Sequence, residues 1–394
     1  MNNAKAGSKR KPKQNTRQTP KDIIRFIGEV DRPFLILLIV LVCFGSIMIF
    51  SASYAYADSN FNDSYYFARR QLGWIFGGMI VLAVTAKVAD YNIVKKMTIP
   101  FVLVALFFNV LIIIMPAVGL AAKGATRQFS LGPINFQPSE LLKLSVVLII
   151  SKYASAYQGK MKEFKYGILP FAGLILGIAA IMGLQSHLSG MIILVSLVLI
   201  MMYISGSSQL WLGIIGLVGA GGAAVLANTF EHAKRRLMVW QNPFEYMYKE
   251  NGAGWQPSHS LYAITSGGFW GVGLGRSNEK QNFLPEPQND YIFAIICEEL
   301  GFFGAMAVIV LFGMLIWRGL IIAKKCTSRF ASLMVIGIMM NIALHVVLNI
   351  AVVTNTIPST GITLPFFSYG GTSLWILLFQ MGLVLSASRY SYMT

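Results

Sequence analysis

The sequence predicts an all-α membrane protein: a polytopic bundle of about ten transmembrane helices with a large extracytoplasmic loop between helices 7 and 8. Three observations predict it. Hydrophobic residues make up 55% of the 394, and mean hydropathy is +0.62. Charged residues are 12%, about half the share in an ordinary soluble domain. Apolar runs near bilayer-spanning length recur along most of the chain.

Those runs lie at about 33–53, 72–88, 97–116, 138–152, 166–184, 190–205, 209–228, 290–317, 330–352 and 371–388. Ten crossings return both termini to one side, and the positive-inside rule makes that side cytoplasmic. Residues 1–32 hold nine Lys/Arg against three acids. With Lys87, Lys95, Lys96, Lys152, Lys160, Lys162, Lys165, Arg318, Lys324, Lys325, Arg329 and Arg389, the cytoplasmic side collects 21 of the 32 basic residues. The expected organisation is a basic, disordered arm over 1–32 and a membrane domain over 33–394. The extracytoplasmic loop covers 229–289.

The net charge of +16 therefore reads as topology and as attraction to anionic lipid headgroups, not as a nucleic-acid signature. A basic start, the apolar run Phe34–Phe50 and the small residues at 51–57 imitate a signal peptide. The run is long for one and further spans follow, so it reads as a retained first helix. Cys43, Cys297 and Cys326 match neither a metal site nor a disulfide framework, and the four histidines show no shared zinc-ligand spacing. Gly271-Val272-Gly273-Leu274-Gly275 lacks the βαβ setting of a dinucleotide fingerprint and reads as tight turns at a membrane surface. Lys234–Phe244 is amphipathic enough to lie along the interface.

Charge inside a span is costly and faces a cavity or a partner. Glu140 and Lys143 open the fourth span at i,i+3, hence on one helical face. They either bridge helices or line an outward cavity. Asp290 stands where two prolines stiffen the return of the outer loop to the membrane, in the expected first turn of the eighth span. It is either a helix cap or a general base. Glu298 and Glu299 are expected to bond to neighbouring helices, as are His345 and Asn349, i and i+4 in the ninth span. No pair of broken helices is evident. The run Pro358–Ser373, with Ser368 and Gly370, has the Gly, Pro and hydroxyl content of non-helical backbone at membrane depth. Such backbone is tolerated only in protein or beside water, so it is a candidate wall for a polar ligand site.

These segments together resemble the SEDS family of bacterial membrane proteins, which includes FtsW, RodA and SpoVE. Phe136-Gln137-Pro138-Ser139-Glu140-Leu141-Leu142-Lys143 is similar to the family's Q-P-S-E-x-x-K segment. Ser266-Gly267-Gly268, Gly271–Gly275 and Leu284-Pro285-Glu286 resemble its large loop. Asp290 falls on its essential aspartate, followed by Glu298-Glu299-Leu300-Gly301, and Leu364–Ser373 resembles its final loop. The Phe366-Phe367 pair and the Glu298–Phe302 run look closest to the FtsW/SpoVE branch. One departure is Gln185-Ser186-His187-Leu188-Ser189-Gly190, where relatives often read Q-P-D-x-G-T. The acid is His187 here, so a carboxylate role at that position does not transfer.

The resemblance implies a peptidoglycan glycosyltransferase in the bacterial cytoplasmic membrane. It would polymerise lipid II into glycan strands at the outer face, with undecaprenyl pyrophosphate leaving. Asp290 would be the base. Arg127, Lys143, Arg276 and Lys280 are the outward cations for the pyrophosphate, with Glu140 positioning Lys143. Gln137, Glu286, Ser368 and Gly370 complete the expected substrate contacts. No cofactor is required, although a divalent cation (Mg or Mn) at Asp290 or Glu286 is compatible with it. The implied partner is a class B penicillin-binding protein. Two other readings stay open: a lipid II flippase or transporter, and a non-catalytic scaffold of a cell-wall complex.

Overall fold

A computed structural model of the chain describes residues 28–115, 119–122, 125–131, 134–229, 231–249 and 252–390. Most of the basic arm thus lies outside the described residues. Thirteen helices follow in order: α1 Arg32–Phe61, α2 Tyr66–Val88, α3 Tyr91–Ile114, α4 Pro138–Ala156, α5 Phe164–Gly167, α6 Leu169–Leu184, α7 Leu188–Ser205, α8 Gln209–Thr229, α9 Glu231–Gln241, α10 Trp255–Gly267, α11 Ile292–Lys325, α12 Arg329–Val353 and α13 Gly371–Ser388. Among the described residues, eight segments, with α5 and α6 taken as one, are long and apolar enough to cross a membrane. The chain is a multi-pass membrane protein.

The two further expected spans are α4 and α8. α4 carries Glu140, Lys143 and Lys152 in 19 residues, which dilutes its apolar character. Both nevertheless run from one end of the bundle to the other. α4 starts beside the final loop, where Thr372 Oγ1 donates to the Asn135 carbonyl, and ends where the Tyr153 hydroxyl donates to the Tyr166 carbonyl. α8 starts at the opposite end and leads into α9, whose Trp240 indole donates to the Asn355 carbonyl at 2.9 Å.

The ends are fixed by hydrogen bonds between distant segments. At one end, the Gly28 amide donates to the Arg389 carbonyl at 3.0 Å, and Arg389 donates to the Lys87 carbonyl at 2.8 Å. The two ends of the described chain therefore meet. Asp31 caps α1 there, accepting from the Phe34 amide at 3.0 Å. It also accepts from Arg318 Nε and Nη2 at 2.9 and 2.8 Å.

The first helix is longer than expected, continuing through Ser51–Ala57 to a left-handed cap at Asn62. The buried core runs along α12, which packs on α4, α7 and α11, while α13 packs on α2. Two features had no counterpart in the sequence reading. A three-stranded antiparallel sheet, β1 Gly119–Ala122, β2 Ala125–Leu131 and β3 Ile134–Phe136, precedes α4. Helix α10 sits in the large loop and packs on α11.

Helix α11 is broken. Gly301 has φ +66° and ψ −166°, which separates a buried half-helix, Ile292–Leu300, from the longer half that follows. The glycine turn at 271–275 docks in the break. The Val272 and Gly273 amides donate to the Glu298 and Glu299 carbonyls at 2.9 and 3.0 Å, and the Phe302 amide donates to the Gly268 carbonyl at 2.9 Å. A Cβ on Gly301 would lie 2.3 Å from the Gly271 nitrogen, so only glycine allows this backbone approach. This is a single broken helix; the expectation was that no pair of them is present. The glycine run is a turn, exposed at Leu274 and Gly275, and it also satisfies backbone groups freed by the break.

Candidate active site

At the end of the bundle opposite Arg389, the expected segments converge. α4 enters with Pro138 in its first turn, the residue best suited to a position whose N–H has no helical partner. Gln137 is its N-cap residue and makes no side-chain cap bond. One turn in, Lys143 donates to Glu140 Oε1 at 2.6 Å. The expectation of a link between helices is met through Lys143, which also reaches across the bundle. Lys143 Nζ lies 2.8 Å from His345 Nε2 on α12, and His345 Nδ1 lies 3.4 Å from the Thr363 carbonyl. Lys143 is 4% exposed, an ammonium held by a carboxylate and an imidazole.

One turn further along α12, Asn349 holds two strands of the site together. Its amide donates to the Asp290 carbonyl at 2.8 Å and to the Ile362 carbonyl at 2.7 Å. The final loop is stitched to the Gln288–Asp290 segment at two more points. Ser368 Oγ donates to the Asn289 carbonyl at 2.7 Å, and the Tyr369 amide donates to the Gln288 carbonyl at 2.9 Å. Ser189 Oγ donates to the Thr360 carbonyl from the start of α7. Gly361, at φ +71°, directs its Cβ position to within 3.5 Å of Asp290 Oδ2. The final loop is therefore non-helical and held against the Gln288–Asp290 segment, with Ser368 as a stitch. Gly370 is the extended N-cap residue of α13.

Asp290 is half-buried and not in the first turn of α11. The helix begins at Ile292 with Tyr291 as its cap residue, and no side chain caps it. Asp290 precedes the cap residue, so it is neither in the first turn nor the N-cap residue of α11. Glu286 is exposed and accepts from Asn289 Nδ2 at 2.8 Å.

The expected cations divide. Arg276 is exposed on the glycine turn. Arg127 lies on β2, and its side chain is outside the described part of the structure. Lys280 is not an outward cation. It is 3% exposed and donates to Glu299 Oε1 at 2.6 Å and to Ser51 Oγ at 3.2 Å. Its side-chain partners belong to α1 and the broken α11, not to the final loop or the Gln288–Asp290 segment. Glu299 meets the expectation of a bond to a neighbouring helix, through Ser51 of α1, whereas Glu298 binds the segment before α11. Glu298 accepts from Ser277 Oγ and from the Asn278 amide at 2.8 Å.

His187 is buried at the start of α7, within electrostatic range of Glu140. The acid-to-histidine departure thus falls on the Glu140–Lys143 cluster. In the outer loop, His259 Nδ1 lies 2.6 Å from Glu279 Oε2. Burial pushes the Glu279 carboxyl up, against the opposing effect of this hydrogen bond.

His345 and Asn349 are the site residues that sequence reasoning assigned only to helix contact. Their i,i+4 spacing was the available signal, since it puts both on one face of α12.

Residues 31–393 match the FtsW/RodA/SpoVE family model, described as cell cycle protein. The chain is 37% identical to stage V sporulation protein E of Bacillus subtilis, over 92% of this chain and 97% of the relative. It is 33% identical to a probable peptidoglycan glycosyltransferase FtsW of Geobacter, over 93% and 98%. Its fold matches a chain from a solved structure described as structural coordination of polymerization and crosslinking by a peptidoglycan synthase complex. The TM-score is 0.76 with 25% identity, covering 93% of this chain and 99% of that one. Thermus thermophilus RodA shares the fold at TM-score 0.67. With the family model spanning nearly all of the described residues, the chain belongs to the FtsW/RodA/SpoVE family of membrane proteins.

Proposed function

We propose that this chain is a peptidoglycan glycosyltransferase that polymerises lipid II at the outer face of the cytoplasmic membrane. The observation that carries the chemistry is the polar chain from Glu140 through Lys143 and His345 to the final loop, joined by Asn349 to Asp290. It sets a cation and a carboxylate on separate elements around one non-helical loop. The GlcNAc 4-hydroxyl of one lipid II attacks the MurNAc C1 of the growing chain. Asp290 accepts the hydroxyl proton, and the bond from C1 to the undecaprenyl pyrophosphate breaks. Negative charge then grows on the pyrophosphate, where a fixed cation is worth most. Lys143 is favoured for that role because it is joined through His345 to the final loop, whereas the partners of Lys280 lie on α1 and the broken α11.

Among the described residues no group of three or more His, Cys, Asp or Glu side chains gathers to hold an ion. A magnesium or manganese ion at Asp290 or Glu286 would rest on one or two carboxylates and the substrate phosphates, which is how such ions are often held. The basic end of the bundle, with both termini, faces the cytoplasm under this reading. A class B penicillin-binding protein is the partner. The Leu284–Asp290 approach then faces the compartment where lipid-linked sugar is consumed.

The break at Gly301 raises the transport reading, because broken helices hold substrates in many transporters. Here the carbonyls of Glu298 and Glu299 are already bonded to Val272 and Gly273, so the break offers them to no cargo. The test is reconstitution of the purified chain and its partner with lipid II. Glycan strands from wild type, and at least a hundredfold loss in Asp290→Asn, are expected. Transbilayer movement without polymer supports a flippase. Full polymerisation by Asp290→Asn removes the base assignment.

A further inference from the structure

We infer that His345 and Asn349 are positioning residues that set the Lys143 ammonium against the Asp290 carboxylate; this rests on the polymerase reading above. Lys143 and Asp290 have no covalent neighbourhood in common. They belong to α4 and to the segment before α11, and α12 is the element that touches both. His345 and Asn349 are 8% and 0% exposed, and one helical turn, about 5.4 Å of rise, separates their levels.

The hydrogen bonds assign the state of the imidazole. The Lys143 ammonium has only donors, so His345 Nε2 must present its lone pair. Nδ1 then carries the proton, directed at the Thr363 carbonyl. Neutral His345 thus passes the position of Lys143 to the final loop without adding charge. A protonated ring would lose the acceptor and place two cations 2.8 Å apart. Asn349 acts on the other half. Its two amide donors are divided between the Asp290 and Ile362 carbonyls, which locks the base-bearing segment to the same loop that His345 holds. Lys143 has three N–H donors, and Glu140 and His345 take two of them. The third is directed by those two bonds, and it is the one left for the leaving pyrophosphate.

Two substitutions of similar size separate positioning from packing. His345→Gln keeps an acceptor at the reach of Nε2, whereas His345→Met fills the space without a good one. Polymerisation of lipid II by the chain with its partner should show kcat within threefold of wild type for His345→Gln. For His345→Met, kcat should fall at least tenfold while KM stays within twofold, because the lost contact serves charge that develops during reaction. Asn349→Asp, which cannot donate to either carbonyl, should fall with His345→Met. The inference is overturned if the Gln and Met variants have equal kcat, or if kcat simply follows the melting temperature. An inactive wild type would instead remove the polymerase reading itself.

Discussion

The Lys280 ammonium lies 2.6 Å from Glu299 Oε1, with both side chains almost wholly removed from solvent. Ser51 Oγ of α1 lies 2.8 and 2.6 Å from the two oxygens of the same carboxylate, which share its one hydrogen. Three elements, α1, the outer loop and the broken α11, thus share one buried charge pair beside Gly301.

Breaking that pair from one side should be far worse than removing it. Lys280→Met leaves Glu299 buried and charged, at a cost of about 3–5 kcal/mol. Lys280→Met with Glu299→Gln removes the orphan charge and should recover at least half of that loss. Thermal unfolding of the detergent-purified variants reads both. Equal melting temperatures for the single and double variants would show that the pair is not the source of the loss.

Gly301→Ala should yield no folded protein. The residue is at positive φ, and its Cβ would strike Gly271 and Phe269 backbone atoms that cannot move without breaking the turn. Gly177→Ala in α6 is the matched control. Nothing lies within 4 Å of a Cβ there, and alanine is the better helix former by about 1 kcal/mol. Membrane yield and monodispersity on gel filtration should separate the two. A well-behaved Gly301→Ala would mean that the break is not as drawn.

Asp31 combines a helix cap with a bidentate pair to Arg318. Asp31→Asn keeps an oxygen for the Phe34 amide but loses the charge-assisted contact, and should cost about 1 kcal/mol because the pair is partly exposed. Asp31→Ala removes both contacts and should cost about 2 kcal/mol, the difference being the cap. If the two variants melt alike, the cap contributes nothing measurable.

What could be read from sequence follows from range. The Glu140–Lys143 bridge was legible because it is made within one helical turn. The eight long apolar segments were legible because apolar length is a local property. His345 is different. Its spacing from Asn349 marked a polar face, but its partner lies 202 residues away, and only the packing of α12 on α4 pairs them. Lys280 misled for the same reason, since its burial depends on Ser51 and Glu299, which its neighbours in sequence do not announce. The break in α11 was hidden because Glu298-Glu299-Leu300-Gly301 continues an apolar run. A single glycine lowers helix preference by only about 1 kcal/mol and does not reveal that a loop some thirty residues earlier will dock there.

The sidedness of the bundle is the remaining prediction, and α1 provides its scale. Asp31 and Ser51 both bond to α11, and they are twenty residues apart on one helix. That is about 30 Å of rise, the thickness of the bilayer hydrocarbon. The Asp31–Arg318 and Ser51–Glu299 contacts are therefore expected at its two boundaries, with Asp290 and the large loop beyond the second. In a background with Cys43, Cys297 and Cys326 changed to alanine, single cysteines should report this directly. Asn282→Cys, exposed near Ser59, should react with a membrane-impermeant maleimide in intact spheroplasts. Lys160→Cys, exposed between α4 and α5, should react only after the membrane is opened. The reverse pattern would put Asp290 in the cytoplasm, away from the outer leaflet, and the polymerase reading could not stand with it.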